Sequence, residues 1–318
     1  MLIAVVGAGA MGCLYGGLLA RSGADVTLIA RKTAHVEQMN KEGLRLSGLN
    51  RLDAPGGTDE PLTIPVRATT CPAEIGPADL VILCVKATDT AVAAKGLGPL
   101  LAPHTSLLTL QNGLGNAEIL AERWGAERVL VGTSSFGALL VGPGSVRLTG
   151  RGQTHLGEPG GLHSERIVAI ATAFNRAGLN AAASGNVTGL LWDKLLINVG
   201  INALTTIAGI PNGKVLESPA LACLMTEAVA EAAAVATAAG IVLSPAPVER
   251  AKAVALATAA NRSSMLRDME AGRVTEIDAI NGAVARYGRR HGVATPVNET
   301  LTLLVNGLTQ LRQLESMP

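Results

Sequence analysis

The chain has 318 residues, long enough for two domains of ordinary size, each with its own core. Its 26 Lys+Arg nearly balance its 25 Asp+Glu, which leaves no basic face for nucleic acid, whereas a small anion needs only local positive charge. The four cysteines (Cys13, Cys71, Cys84 and Cys223) form no CxxC and no metal-ligand spacing, which excludes a disulfide framework and a structural zinc site and fits a reduced, cytoplasmic protein.

In chain order, the first half alternates apolar runs with helical patterns. Strands are expected at 2–6, 25–30, 80–85, 107–110 and 129–133, with helices at 11–22, 34–42, 89–101 and 116–124. That rhythm predicts βαβ units and a parallel sheet covered on both faces. Residues 45–67 interrupt it with Gly, Pro and Asp and are expected to form a loop or small hairpin. Residues 138–158 carry the turn Gly142-Pro143-Gly144-Ser145 and are expected to form a hairpin at the sheet edge.

From about Asn186 long Ala/Leu-rich stretches of helical period replace the strands, at 187–207, 219–239, 247–258, 275–291 and 299–314. The expected organisation is α/β: an N-terminal doubly wound parallel sheet over 1–185, then an all-helical domain over 186–318, with ligands held in the cleft between them. The N-terminus opens on a strand-like run without the basic n-region of a signal peptide, so a secretory leader is not expected. The most membrane-like stretch, 189–210, contains Asp193 and Lys194, each costing about 2.5–3.5 kcal/mol at a bilayer centre, so no membrane span is expected.

The first strand runs into Gly7-Ala8-Gly9-Ala10-Met11-Gly12, a GxGxxG turn followed by a helical pattern. In that context the glycines serve a tight turn, close approach to a pyrophosphate and close helix–sheet packing, with the anion at the helix N-terminus. The second strand ends at Arg31-Lys32, where an NAD site would carry a carboxylate for the ribose 2′-hydroxyl. A guanidinium there suits a 2′-phosphate, so NADP is the expected cofactor. Ligands of an open parallel sheet bind beyond the carboxyl ends of its strands. Two such ends carry Lys86 and Gln111-Asn112-Gly113; these residues read either as ligand contacts or as a surface cap and a turn dipeptide.

In the helical half, Lys194, Asn198 and Asn202 recur at i, i+4 and i+8 inside an otherwise apolar helix. Their drift is only about 80°, which puts them on one face. Buried amides and an ammonium are costly unless partnered, so the stripe reads as facing a ligand. A second polar cluster, Ser263-Ser264 and Thr275-Glu276, offers a carboxylate either as partner for Lys194 or as the start of a helix, with Thr275 as its cap.

Together Gly7–Gly12, Arg31, Lys86, Gln111-Asn112-Gly113, Trp192 to Asn202, Ser264-Met265 and Thr275-Glu276-Ile277-Asp278 resemble the ketopantoate reductase family, in its order and over nearly the whole chain. The resemblance implies a Rossmann domain joined to a helical domain like that of 6-phosphogluconate dehydrogenase. It implies NADPH-dependent reduction of 2-dehydropantoate to pantoate, on the route to coenzyme A. It makes Lys194 the catalytic acid and Glu276 the carboxylate that pairs with it or with substrate. Asn112, Lys194, Asn198, Asn202 and Ser264 match substrate-binding positions; Gly7, Ala8, Gly9, Ala10, Met11, Gly12, Arg31, Lys86 and Asn112 match cofactor-binding ones. The stretch 50–62 and the 2% aromatic content depart from the family without touching those positions. The expected partner is a small 2-keto acid, with neither nucleic acid nor membrane, and a homodimer is the assembly to test. A reductase of another branched 2-keto acid and a non-enzymatic NADP sensor are the rival readings.

Overall fold

The computed structural model describes residues 1–49 and 60–315. They fall into two compact units, Met1–Gln111 with Asn116–Val187 and Asn112–Gly115 with Thr188–Pro318.

The first unit is built on strands β1 (Leu2–Val6), β2 (Asp25–Ile29), β5 (Arg67–Thr69), β6 (Leu80–Leu83), β7 (Ser106–Thr109), β8 (Val129–Ser134), β11 (Thr154–Gly157) and β12 (Ala181–Ala183). They form one sheet in the order β12-β11-β8-β7-β6-β1-β2-β5, parallel except where β11 runs antiparallel to β8. Ile3 and Val5 enter one core with Leu28, Ile82 and Leu108, while Ala4 and Val6 enter another with Val81, Leu83 and Leu107. Burial on both faces is why these strands are continuously apolar rather than alternating. The first strand is flanked by the second and the sixth, with Val6 paired to both Ile29 and Leu83. Their carboxyl ends therefore lie side by side, where the strand order reverses.

The structure revises three local expectations. Instead of one helix over 89–101 there are a short turn Ala87–Asp89, a helix Thr90–Lys95 and a turn Gly98–Leu100. Gly96, Gly98 and Pro99 interrupt the helix, because two glycines and a proline outweigh its apolar period. The hairpin within 138–158 does form, as β9 (Gly137–Gly142) and β10 (Ser145–Gly150), but not at the edge of the main sheet. It joins β3 (Leu44–Ser47) and β4 (Leu62–Ile64) in a separate sheet of order β4-β3-β10-β9. Leu44, Leu46, Val146 and Leu148 there bury against the core around the helix Ala10–Arg21 (α1). The antiparallel pairing of β3 with β4 agrees with the small hairpin expected over 45–67, whose residues 50–59 lie outside the described residues. The helix Glu165–Arg176 was not expected, although its cap Ser164 and its buried Ile167, Ile170, Ala171 and Phe174 follow helical spacing.

The second unit contains, among the described residues, helices and short turns only. Its long helices are Val187–Ala208 (which begins one residue before the unit), Pro219–Ala238, Pro247–Ala257, Asn281–His291 and Pro296–Glu315. Trp192, Leu196, Val199, Met225, Val229, Val284 and Val305 form its core, interleaved with alanines. Pro219–Ala238, rather than the expected stretch at 189–210, is long and apolar enough to cross a membrane by length and composition. It buries Met225, Ala228, Val229, Ala232 and Val235 against this core. The helix expected over 275–291 begins only at Asn281. Glu276 stands instead before a short turn, Ile277–Ala279, and Thr275 caps nothing: its buried hydroxyl has no hydrogen-bond partner.

Candidate functional site

The glycine turn is held from both sides. Gly7 and Ala8 N–H both donate to Ile29 O at 3.0 and 2.9 Å. Gly7 has φ +101, and a Cβ there would lie 2.5 Å from Val85 N; one on Gly12 would collide with Gly7 O. Neither position accepts a side chain. Gly9 differs, since a Cβ there meets nothing within 4 Å. Its open side is the entrance to α1, which carries no side-chain cap and no acidic residue in its first turn. The first N–H groups of a helix lack intrahelical acceptors and bear partial positive charge. Open space, bare N–H groups and no competing carboxylate together fit a diphosphate.

One contributor to this turn escaped the sequence reading. His35, buried in the helix Thr33–Glu42 (α2), lies 2.9 Å from Ala8 O through Nε2, and its Nδ1 accepts Gly144 N–H at 2.9 Å. Because Nδ1 accepts, Nε2 carries the proton and donates to Ala8 O. Burial pushes the His35 pKa below its ordinary value, against the Ala8 bond. His35 therefore ties the nucleotide turn to the hairpin of the second sheet as a neutral ring. Its signal was a histidine sharing the buried face of Val36 and Met39.

Arg31 stands at the end of β2, as expected, but it is not free for a phosphate alone. Its two terminal nitrogens donate to the Asp89 carboxylate at 2.8 and 3.3 Å. Lys86, exposed, precedes the turn that carries Asp89. Gln111 is structural: Nε2 donates to Val85 O at 3.0 Å and to Thr90 Oγ1 at 2.7 Å, and Oε1 accepts from Thr109 Oγ1 at 3.1 Å. It knots the ends of β6 and β7 together.

The four residues after it, Asn112–Gly115, belong to the helical unit. Asn112 Oδ1 accepts from Lys194 Nζ at 2.8 Å. Gly113 has φ +81, and a Cβ there would lie 2.7 Å from Ala279 Cβ; Leu114 N–H donates to Ala279 O at 2.9 Å. The segments bearing Asn112 and Glu276 are thus fastened to one another. Burial pushes the Lys194 pKa from 10.5 down to about 8, opposed by the charge of Glu276. Glu276 is itself buried. Asn198 and Ser264 are half-buried and Asn202 is buried. The cap of helix Ser264–Glu270 is Ser263, whose hydroxyl accepts from Leu266 N and Thr205 Oγ1, so Ser264 is left to other uses. Next to Lys194, Asp193 accepts from Ser244 and pairs with Arg250 at 2.9 Å, an anchor for this turn of the helix that the sequence reading did not single out.

Two family models match the chain: ketopantoate reductase PanE/ApbA over residues 3–161, and its C-terminal counterpart over 186–309. The chain belongs to the ketopantoate reductase family. Among its relatives in that family, the 2-dehydropantoate 2-reductase of Halobacterium salinarum is 41% identical over 96% of this chain and 98% of its own. The crystal structure of a PanE/ApbA family ketopantoate reductase from Ralstonia eutropha matches with a TM-score of 0.90 at 34% identity, over 98% of this chain and all of the other. A ternary structure of D-mandelate dehydrogenase with NADH and anilino(oxo)acetate matches with a TM-score of 0.88 at 29% identity, over 98% and 99%.

Proposed function

We propose that this chain is a 2-dehydropantoate 2-reductase, converting ketopantoate to pantoate for coenzyme A synthesis in the cytoplasm. Residues 1–185 hold the nucleotide and residues 186–318 carry the acid–base residues. NADPH bound at the glycine turn would supply the hydride. Gly7, Gly9 and Gly12 make room for its diphosphate, with Ala8, Ala10 and Met11 supplying the surrounding backbone, and Arg31 and Lys86 supply positive charge for the adenosine end.

The observation that carries the reading is the Lys194 ammonium, bonded to Asn112 at 2.8 Å with its pKa pushed down to about 8. A general acid works best when its pKa lies near the operating pH. Lys194 donates a proton to the oxygen that becomes the alkoxide and stabilises that charge before the transfer. Asn112 orients the ammonium, and Glu276 favours its protonated form. Asn198, Asn202 and Ser264 offer uncharged donors for the substrate's carboxylate and hydroxyl. The partner is a small 2-keto acid, without nucleic acid or membrane, and the assembly we propose is a homodimer.

The likeness to D-mandelate dehydrogenase supports a second reading, in which the same residues reduce a different 2-keto acid. NADPH oxidation across a panel of 2-keto acids separates the two. Ketopantoate should give the highest kcat/KM; a higher value for an aryl keto acid would favour the second reading, and no turnover with any would favour a sensor.

A further inference from the structure

The sheet ends on either side of β1 are bridged by one ion pair, Arg31 beyond β2 and Asp89 beyond β6. Asp89 is oddly employed. It occupies the N-terminal flank of the helix Thr90–Lys95, where an aspartate ordinarily caps, yet its side chain makes no cap bond. Both its oxygens face the guanidinium instead, in the paired geometry that a phosphate would also require of Arg31. The pair lies beside the glycine turn, at the strand end where the adenosine ribose of a bound dinucleotide is held.

We infer that Asp89 is the specificity-determining residue for the cofactor: it competes with a ribose 2′-phosphate for Arg31 and thereby narrows the preference for NADPH over NADH. This rests on the proposed nucleotide site. A ribose bearing only a hydroxyl gives up nothing to Asp89, since a carboxylate accepts a hydrogen bond from it. A phosphate must share two of the five guanidinium N–H donors' directions with a carboxylate and must also approach that carboxylate's charge. Lys32 and Lys86, both exposed nearby in sequence, keep the surroundings positive, so the phosphate is disfavoured by Asp89 rather than excluded.

The test measures binding of adenosine 2′,5′-bisphosphate and of ADP by calorimetry, which needs neither substrate nor turnover. Asp89→Asn should tighten adenosine 2′,5′-bisphosphate about 10-fold, the size expected when one charge-assisted competitor is removed, and change ADP by less than about twofold. In an Arg31→Ala background the same substitution should give less than about a threefold gain. An unchanged or weakened affinity for the bisphosphate in Asp89→Asn would overturn the inference and make Asp89 a residue that positions Arg31. A full 10-fold gain without Arg31 would overturn it too, by showing simple repulsion. Failure of both nucleotides to bind the wild-type chain would instead bring down the nucleotide site, and this inference with it. Asp89→Ala repeats the measurement should the asparagine form a new bond to Arg31.

Discussion

Among single residues, Lys194 is the proposed general acid, and its environment dictates how it should respond to substitution and pH. Lys194→Ala should lower kcat by about 10²–10⁴ with nucleotide affinity nearly unchanged, because the loss falls on proton transfer. Lys194→Arg should not restore turnover, since a guanidinium keeps its proton near neutral pH. Near-normal turnover in Lys194→Ala would remove the mechanism. In the proposed mechanism the protonated form is the active one for reduction, so kcat/KM should be level below the lysine's pKa and fall about tenfold per unit above roughly 8. Glu276 raises that pKa through its charge. Glu276→Gln should therefore move the descending limb to lower pH, and a limb that stays fixed or moves upward would show that the carboxylate acts on substrate instead. Histidine 35 gives a second pH signature. Its folded pKa lies below the ordinary value of about 6.5, so the unfolded chain takes up the proton first as pH falls. The stability it contributes is complete above about 6.5 and is lost as pH falls through its lowered folded value. His155, lowered by burial, acts in the same direction. Melting temperature should drop on acidification below 6.5, and His35→Gln should flatten that slope; an unaltered slope would assign it to other groups.

Among elements, what was legible was whatever depends on local pattern. The parallel strands, the glycine turn and the polar stripe of the helix Val187–Ala208 follow from residues near in sequence, and so does the succession of sheet by helices. Pairings set by distant burial were not legible. Nothing local says that 145–150 pairs with 45–47 rather than extending the main sheet, because that choice is made by Leu44, Leu46, Val146 and Leu148 against a shared core. The partner of Lys194 is 82 residues away and that of Arg31 is 58, so their types were readable but their engagements were not. Gly113 shows the same division. As Asn112-Gly113 it reads as a turn, but the structure makes it the point where the peptide passes Ala279. Gly113→Ala combines an unfavourable positive φ with that collision, and overpacking of this kind costs about 1–3 kcal/mol. Because the displacement would fall on Asn112, kcat should decline more steeply than nucleotide affinity. Gly12→Ala, colliding with Gly7 O, should do the reverse and abolish nucleotide binding first. Equal effects of the two on both quantities would mean general unfolding rather than local displacement.

For the molecule as a whole, nucleotide binding should appear as thermal protection. A ligand at 100 times its Kd stabilises the folded state by about 2.7 kcal/mol, which for a protein of this size is a rise of roughly 4 °C. NADPH should produce that rise in the wild-type chain and in Lys194→Ala alike, but not in Gly12→Ala. Protection that survives in Gly12→Ala would place the nucleotide elsewhere. The chain's division also carries a consequence for anyone who would cut it. Leu114 is a buried member of the helical core, contributed by a four-residue excursion from the other half of the sequence. A fragment beginning at residue 186 would be born with a vacancy where that leucine sits and without the amide that meets its lysine. Halves exchanged between relatives at that apparent seam should express as mismatched chimaeras unless residues 112–115 travel with the C-terminal half, so the unit of inheritance for this site is a discontinuous one.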